Sequence, residues 1–503
     1  MPSRRIWLGL AIRFAIVITL AAMPMWGQNQ PPQDDRAAMQ QEIQELRKRI
    51  DELDQRLRAS SGNQQPAAAP ADTQAAAATA ANSVARTATG RVATATAGIG
   101  GAGGAETAAG LGGGLTSESG NVQADTTGFT IKSADGNFLL KIGADLQVDD
   151  RTYTGAGAKT LTDGILLRRV RPTFSGTVYK YVDYFFRPDF GQGTTIIYDA
   201  YMQLNYIPHF NLRVGKFKPP VGLERLQSDD DTTFVERGLP TLLVPSRDIG
   251  YQLAGDLLVH RVGYQVGVFN GVVDNSLSDA AVSNHRDYAG RVFLTPFINS
   301  DSSWIKGIGA GIGATGGNVD GLGLPAYKTI GQNQFFTFAS GVSEAGHRTR
   351  LAPQAYYYVG PAGILTEYTL AEEGLQKGLV RGDASFRAWQ VEASYILTGE
   401  TKSFGSPIPK HPFDPMHNSW GAIELATRTG EFSVDRGIFN YGFATATATP
   451  RLAREYVGGA NWYLNRLVRI SLDYGVTGFE GGAVTGNKVA ERVILFRFQI
   501  NFI

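Results

Sequence analysis

The chain has 503 residues, with 47 Lys and Arg set against 46 Asp and Glu, so it is close to neutral. That balance excludes a polyanion trap, predicts no nucleic-acid partner, and makes any electrostatic function a matter of where charges sit. With no cysteine, the chain has no disulfide scaffold, thiolate metal site, cysteine nucleophile or lipid-modified amino-terminal cysteine.

Arg4 and Arg5 precede a largely apolar run from Phe14 to Gly27. A basic start, a short apolar middle and small residues near the end predict a secretory signal over 1–27, with cleavage after Ala22 or Gly27. The run is shorter than the roughly 20 residues of a spanning helix. Next, Met39, Ile43, Leu46, Ile50, Leu53 and Leu57 step by alternating fours and threes. That is a heptad seam, and it predicts a short coiled coil within 28–59. Such a short seam needs help from something larger, so it implies self-association. From 60 to 126 the composition collapses to Ala, Gly, Thr, Ser and Gln. Nothing there offsets chain entropy, which predicts a flexible, disordered linker.

From about Thr127 to the end the period is two. In FLLKIGADLQVDD, Phe138, Leu140, Ile142, Ala144, Leu146 and Val148 alternate with Leu139, Lys141, Gly143, Asp145, Gln147 and Asp149. Successive side chains of a strand face opposite sides, so this is a strand. Trp389, Val391, Ala393 and Tyr395 oppose Gln390, Glu392 and Ser394; Val468, Ile470, Leu472 and Tyr474 oppose Arg469, Ser471 and Asp473. The final ILFRFQINFI keeps the same rhythm. The Gly-rich GIGAGIGATGG has no strand-to-helix context for a nucleotide loop and reads as a strand, with Ile308, Ala310 and Ile312 on one face.

A soluble sandwich also alternates, but three features favour a membrane barrel. Strands run near ten residues, the length of a tilted crossing. Aromatics such as Tyr288, Trp389, Tyr395, Trp462 and Tyr474 sit near strand ends on the apolar face, as rings at a bilayer interface do. Full charges stand at strand centres on the other face, where a water-filled lumen holds them and a sandwich core does not. The expected fold is therefore all-β: an antiparallel transmembrane barrel over 127–503. Its length gives about 16 strands, with 18 as the alternative. A barrel of that size leaves an aqueous channel.

LLRRVRPTFSG, YDAYMQLNY, LRVGKFKPPVGLERL, TTFVERGLP, YQVGVFNG, ILTGETKSF, GAIELATR, NWYLN and RFQINF, in that order, resemble the phosphate-selective porin O and P family. The resemblance implies a sixteen-stranded outer-membrane barrel of a Gram-negative-type bacterium. It implies a homotrimer, a loop folded into the lumen, and passage of phosphate or polyphosphate along lysines and arginines. The chain departs from the pattern where Ile503 follows Phe502, and in its long amino-terminal region. By analogy with other envelope porins, the coil is expected to reach toward peptidoglycan.

A pore needs charges that replace part of an ion's hydration shell without trapping it. The long non-alternating stretch from Phe217 to Arg247 is too long for a hairpin turn, and the matching family segment folds inward. Its cations are Arg225, Arg237 and Arg247, with Lys216 and Lys218 at its entrance. Asp229, Asp230 and Asp231 are expected at a solvated tip. On the wall, parity turns Arg169, Arg171, Arg187, Arg213 and Arg291 inward, with Arg350, Arg428, Arg469 and Arg497. Asp145, Asp189, Asp199, Glu367, Glu392, Glu424 and Asp473 point the same way. Arginine suits phosphate because its planar fork donates to two oxygens; paired with a neighbouring carboxylate, it only braces the wall. His411 and His417 lack defined co-ligands and predict no metal. No GxSxG or comparable signature supports an enzyme, and no cofactor is expected. Small-anion diffusion leads; a general or neutral-solute porin and a structural envelope tether are the alternatives.

Overall fold

The two-residue period is realised as a closed wall of strands. The computed structural model describes residues 121–502, apart from 126, 127, 282 and 322, together with Lys48. The expected signal (1–27), the coiled coil (28–59, Lys48 aside), residues 60–120 of the linker and Ile503 lie outside the described residues. The last described part of that linker, Asn121–Asp125, is strand β1, and it pairs with β2 (Gly128–Lys132).

The wall runs through β3 (Phe138–Tyr153), β4 (Gly164–Val178), β5 (Val182–Asp189), β6 (Ile196–Ile207) and β7 (Phe210–Phe217). It continues through β8 (Asp248–Leu257), β9 (Val262–Phe269), β10 (Asp287–Leu294) and β11 (Ile308–Asp320). A small two-stranded sheet of β12 (Tyr327–Lys328) and β13 (Gln334–Phe336) lies in the following loop. The wall resumes with β14 (Val342–Val359), β15 (Ala362–Lys377), β16 (Val380–Ile396) and β17 (Ala422–Val434). It ends with β18 (Pro450–Tyr463), β19 (Val468–Gly481) and β20 (Glu491–Phe502). Each strand pairs antiparallel with the next, and β20 pairs with β3 from Val493↔Tyr153 to Phe502↔Ala144. Sixteen strands therefore close on themselves, and the β1–β2 hairpin continues along β3 beyond the end of β20. Closure leaves no unpaired edge in lipid. Among the described residues no helix is long and apolar enough to cross a membrane, so the crossing is made by strands.

Side-chain direction follows parity. Ile494, Phe496 and Phe498 are exposed on the outer face of β20, while Arg497 and Gln499 are buried on the inner one. Tyr288, Trp389, Tyr395 and Tyr474 are exposed, as lipid-facing rings are in a chain taken without its bilayer. One arc departs from the polar-inside expectation. On the inner face of β16 to β19, Phe386, Ala388, Phe432, Ala453 and Phe479 join a buried apolar cluster. Their partners are Leu239, Leu242 and Leu243 of the loop after β7, and Tyr327, Phe335 and Phe336 of the loop after β11. The inner wall is apolar there because two loops, not water, cover it. Leu495 breaks the polar series of β20 for the same reason: it packs with Phe234 and Val235 of the first of these loops.

Candidate functional site

The loop 218–247 leaves β7, runs across the bore and returns to β8. Its short elements are a helical turn, α1 (Leu223–Leu226), and a 3-10 turn at Leu239–Leu243. Nearly all of its residues are buried. A buried loop must satisfy its backbone, and inward polar side chains of the far wall do this. Arg469 donates to Thr232 O (2.8 Å), Asn461 to Thr233 O (2.8 Å) and Arg428 to Glu236 O (2.9 Å); Asp473 accepts from Val235 N (2.7 Å). Gly238 lies so close to β16 that a Cβ would sit 1.6 Å from Gln390 Oε1.

Asp229 is the centre of the arginine cluster, not a solvated tip as expected from DDD. It is 1% exposed. Arg237 Nη1 donates to its Oδ1, and Arg171 Nη1 and Tyr198 OH donate to its Oδ2, the phenol at 2.8 Å. Arg169 Nε and Arg247 Nη2 each lie 3.8 Å from Oδ2. The Tyr198 ring is sandwiched between two guanidiniums, with Arg171 3.5 Å and Arg247 3.7 Å from its centroid. Burial alone would raise the Asp229 pKa, but Arg237, Arg169, Arg171 and Arg247 together hold it well below the usual carboxylate range. Neighbouring Asp230 is also buried, its carboxylate held by Ser228 and Asn501. Asp231 accepts from Ser406 N at 2.8 Å, and burial followed by Asp230 pushes its pKa up. The triad is buried because a second segment, between β16 and β17, folds in from the opposite end to meet it. Gln227 donates to Phe404 O (2.6 Å), and Ser406 Oγ donates to Asp230 O (3.1 Å).

A second cluster forms on Glu236. Arg168 Nε lies 2.6 Å and Arg151 Nη2 3.2 Å from its carboxylate, and Arg497 Nη2 is 3.7 Å away while holding Asp149 at 2.6 and 2.8 Å. Arg168 lies outside the parity-based set. The β3–β4 register steps from Gln147↔Arg169 to Val148↔Leu167, so Arg168 is a bulged extra residue and both arginines of the pair reach inward. The consecutive Arg168-Arg169 in an alternating strand is the signal that could have marked the bulge.

The residues expected at the site divide by partner. Arg169, Arg171, Arg237 and Arg247 converge on Asp229, with Asp189 (2.7 Å) shared by Arg171 and Asp199 (3.2 Å) by Arg247. Lys216 is braced by Ile197 O and Asp279. Five have no carboxylate within ion-pair distance among the described residues. Lys218 donates to Gln227 O (2.7 Å) and Arg225 to Asn275 Oδ1 (2.7 Å). Arg187 donates to Thr173 (3.0 Å), Arg213 to Gln203 (2.7 Å) and Arg291 to Gln354 (3.0 Å). Burial and Arg237 bring Arg225 down to about 10, and burial above all holds Lys218 well below the usual lysine value. Arg187 also lines a cavity of about 340 Å³ with Asp230, Asp231, Arg466 and Arg469, beside the β18–β19 turn.

The family model described as phosphate-selective porin O and P matches residues 140–502. The chain belongs to the phosphate-selective porin O and P family. As a member it is an outer-membrane porin, a channel rather than an enzyme by family. Porin O of Pseudomonas aeruginosa is 24% identical over 416 residues, covering 74% of this chain and 90% of that protein. Among solved structures, the outer-membrane channel DcaP of Acinetobacter baumannii is 10% identical with a TM-score of 0.48, covering 73% of this chain and 99% of that one. An anion-selective porin from Comamonas acidovorans is 10% identical with a TM-score of 0.45, covering 73% and 100%.

Proposed function

We propose that this porin passes small anions by passive diffusion, phosphate and short polyphosphate among them, past the loop 218–247. Arg169, Arg171, Arg237 and Arg247 are the filter on this reading, and Lys218, Arg225, Arg187, Arg213 and Arg291 line the approach. The observation that carries it is the convergence of four guanidiniums on one carboxylate in a loop that crosses the bore. Buried guanidiniums are little screened by water, so they act strongly on a passing anion. Family membership supports the same reading.

A broader small-solute porin is the second reading. It is favoured by Asp230 and Asp231, which have no ion-pair partner among the described residues and face the cavity beside Arg187. A reversal potential in a KCl gradient across a planar bilayer separates the two. The leading reading expects chloride preference and a chloride current that inorganic phosphate reduces; a potassium-favouring potential overturns it. Family membership supports a homotrimer of barrels, and the heptads at 39–57 support self-association, with the coil directed toward peptidoglycan. Cross-linking of the full chain to a three-chain product checks the stoichiometry, and pull-down on purified peptidoglycan checks the target.

A further inference from the structure

The loop 397–421, between β16 and β17, is anchored at two ends, and the stretch 407–415 that joins them takes no part in the filter. Most other connections at its end of the barrel, such as 208–209, 360–361 and 464–467, are tight hairpins, which marks that end as periplasmic. The inner end of the loop sits in the bore. Lys402 Nζ lies 2.6 Å from Glu424 and 3.3 Å from Thr233, and the Phe404 ring packs beside Tyr356 with centroids 5.8 Å apart. The outer end stands on the other side of the wall. Trp462 shares the parity of exposed Tyr456 on β18, whereas Val457 and Tyr463 point inward and are buried. The Phe413 ring meets that outward Trp462 edge to face, with centroids 5.1 Å apart, and Trp420 is 6.1 Å from Phe413. Trp462 Nε1 donates to Trp420 O at 2.7 Å. Between Phe413 and Trp420 the chain forms a small braced finger. Asp414 and Ser419 exchange backbone hydrogen bonds of 2.9 and 3.0 Å, and Asp414 Oδ1 accepts from Met416 N at 3.0 Å. Met416 stands at the tip, 88% exposed, and Trp420 is 60% exposed.

We propose that this finger is a lipid-binding surface: Met416 and Trp420 seat in the periplasmic leaflet of the outer membrane and moor the loop that enters the bore. An apolar tip held up by its own hydrogen bonds gains nothing from water. The finger is also continuous with wall that faces lipid. Tyr395 and Leu425 pair across β16 and β17, Leu397 N donates to Ile423 O beside them, and Tyr395, Leu425 and Leu397 are all exposed. Tryptophan rings at strand ends favour the bilayer interface, where the ring is in apolar surroundings and the N–H finds a polar partner. The composition of 407–415 fits the same role. Pro407, Pro409, Pro412 and Pro415 fix φ at four of its nine positions, so the link from the finger to the bore segment is stiff. A displacement of the finger is carried to 402–406 and not absorbed on the way. The leaflet thereby helps to hold Lys402 against Thr233 and Phe404 O against Gln227, both in the loop 218–247, whichever ion passes.

The chain has no cysteine, so Met416→Cys takes a single environment-sensitive nitrobenzoxadiazole label in the full-length protein. The labelled protein is placed in vesicles of phosphatidylethanolamine and phosphatidylglycerol, with and without lipids spin-labelled near the headgroup end of the acyl chain. The expected result is blue-shifted emission that the spin-labelled lipid quenches and aqueous iodide does not. Quenching by iodide and not by the lipid puts the finger in water and overturns the inference. Protection from both quenchers buries it against protein, such as a second barrel, and overturns it as well. Trp420→Glu in the same labelled protein is expected to abolish the lipid quenching and, with the mooring gone, to raise open-channel current noise in planar bilayers. Current noise that stays unchanged after lipid quenching is lost overturns the link between the finger and the bore. If Trp420→Glu does not assemble, Met416→Cys alone decides whether the finger meets lipid.

Discussion

Arg237 holds the inward loop to itself as well as facing the bore. Its Nε donates to Glu224 O at 3.0 Å, its Nη2 to Gln227 O at 2.6 Å, and its Nη1 to Asp229. Arg237→Glu replaces three donors by acceptors and sets a second carboxylate against Asp229. Two unit charges about 4 Å apart interact by about 4 kcal/mol at an effective dielectric constant of about 20. A third of that is already a factor of about ten. The chloride-to-potassium permeability ratio is therefore expected to fall about tenfold or more; an unchanged reversal potential removes Arg237 from the filter. Lys218 carries the pH dependence. Burial first, and Arg247 next, disfavour its charged form, so its pKa lies well below the usual value. Proton loss removes a positive charge from the approach, so chloride preference declines as pH rises through the lowered Lys218 pKa, while exposed lysines stay charged until about 10.4. The stability contribution runs the other way: the cost of burying charged Lys218 is full below the lowered pKa, shrinks as pH rises above it, and is gone only above the ordinary lysine value of about 10.4. Reversal potentials from pH 6 to 10 check this, and Lys218→Met is expected to flatten the curve.

At the scale of one strand, the period of two carried most of the information. Ile494 pairs with Thr152 and Tyr474, lies near mid-strand and is exposed on the outer face of β20. Ile494→Arg puts a charge against lipid, costing about 2–4 kcal/mol at the bilayer midplane. Denaturant titration of the barrel in vesicles should show that loss, and an unchanged midpoint contradicts the assigned face. Alternation predicted which side each residue of β3, β16, β19 and β20 takes, because a single buried-or-wet boundary selects one parity along a strand. The reading failed where the strand was irregular or a long-range partner replaced water. Arg168 turned inward through a bulge that two adjacent arginines only hint at. At Phe386 and Phe432 the alternation held and only the polar-inside expectation failed, because Leu239, Phe335 and Phe336 cover them. The burial of Asp229 was illegible for a related reason. Three adjacent aspartates look solvated until Arg171 and Arg169 from β4, Tyr198 from β6 and Arg247 from the end of the loop are brought around one of them. Those partners are 31 to 60 positions away in sequence for Tyr198 and the two wall arginines, and nothing in the local string announces them.

Across the described residues, many of the acids and bases inside the barrel stand as neighbouring pairs. Arg497 meets Asp149, Arg428 meets Glu455, Lys402 meets Glu424, and Arg350 meets Asp274 and Asp287. Such pairing weakens any field that would steer ions from a distance, so on the proposed reading selectivity arises where an ion comes close to the guanidiniums around Asp229. The two origins respond differently to salt. Steering by exposed charge fades as the screening length falls from about 30 Å at 0.01 M to about 3 Å at 1 M. Contacts within a buried cradle are screened much less. The permeability ratio measured in gradients centred near 0.01 M and near 1 M is therefore expected to change little, about twofold at most if one weakly screened step sets it. A ratio that collapses to the free-ion mobility ratio at high salt would place selectivity in the exposed mouths and not at Arg169, Arg171, Arg237 and Arg247. Adding Arg237→Glu to the same pair of measurements sharpens the distinction. A buried filter loses chloride preference at both salt concentrations, whereas a mouth effect leaves the salt dependence of the variant parallel to that of the wild type.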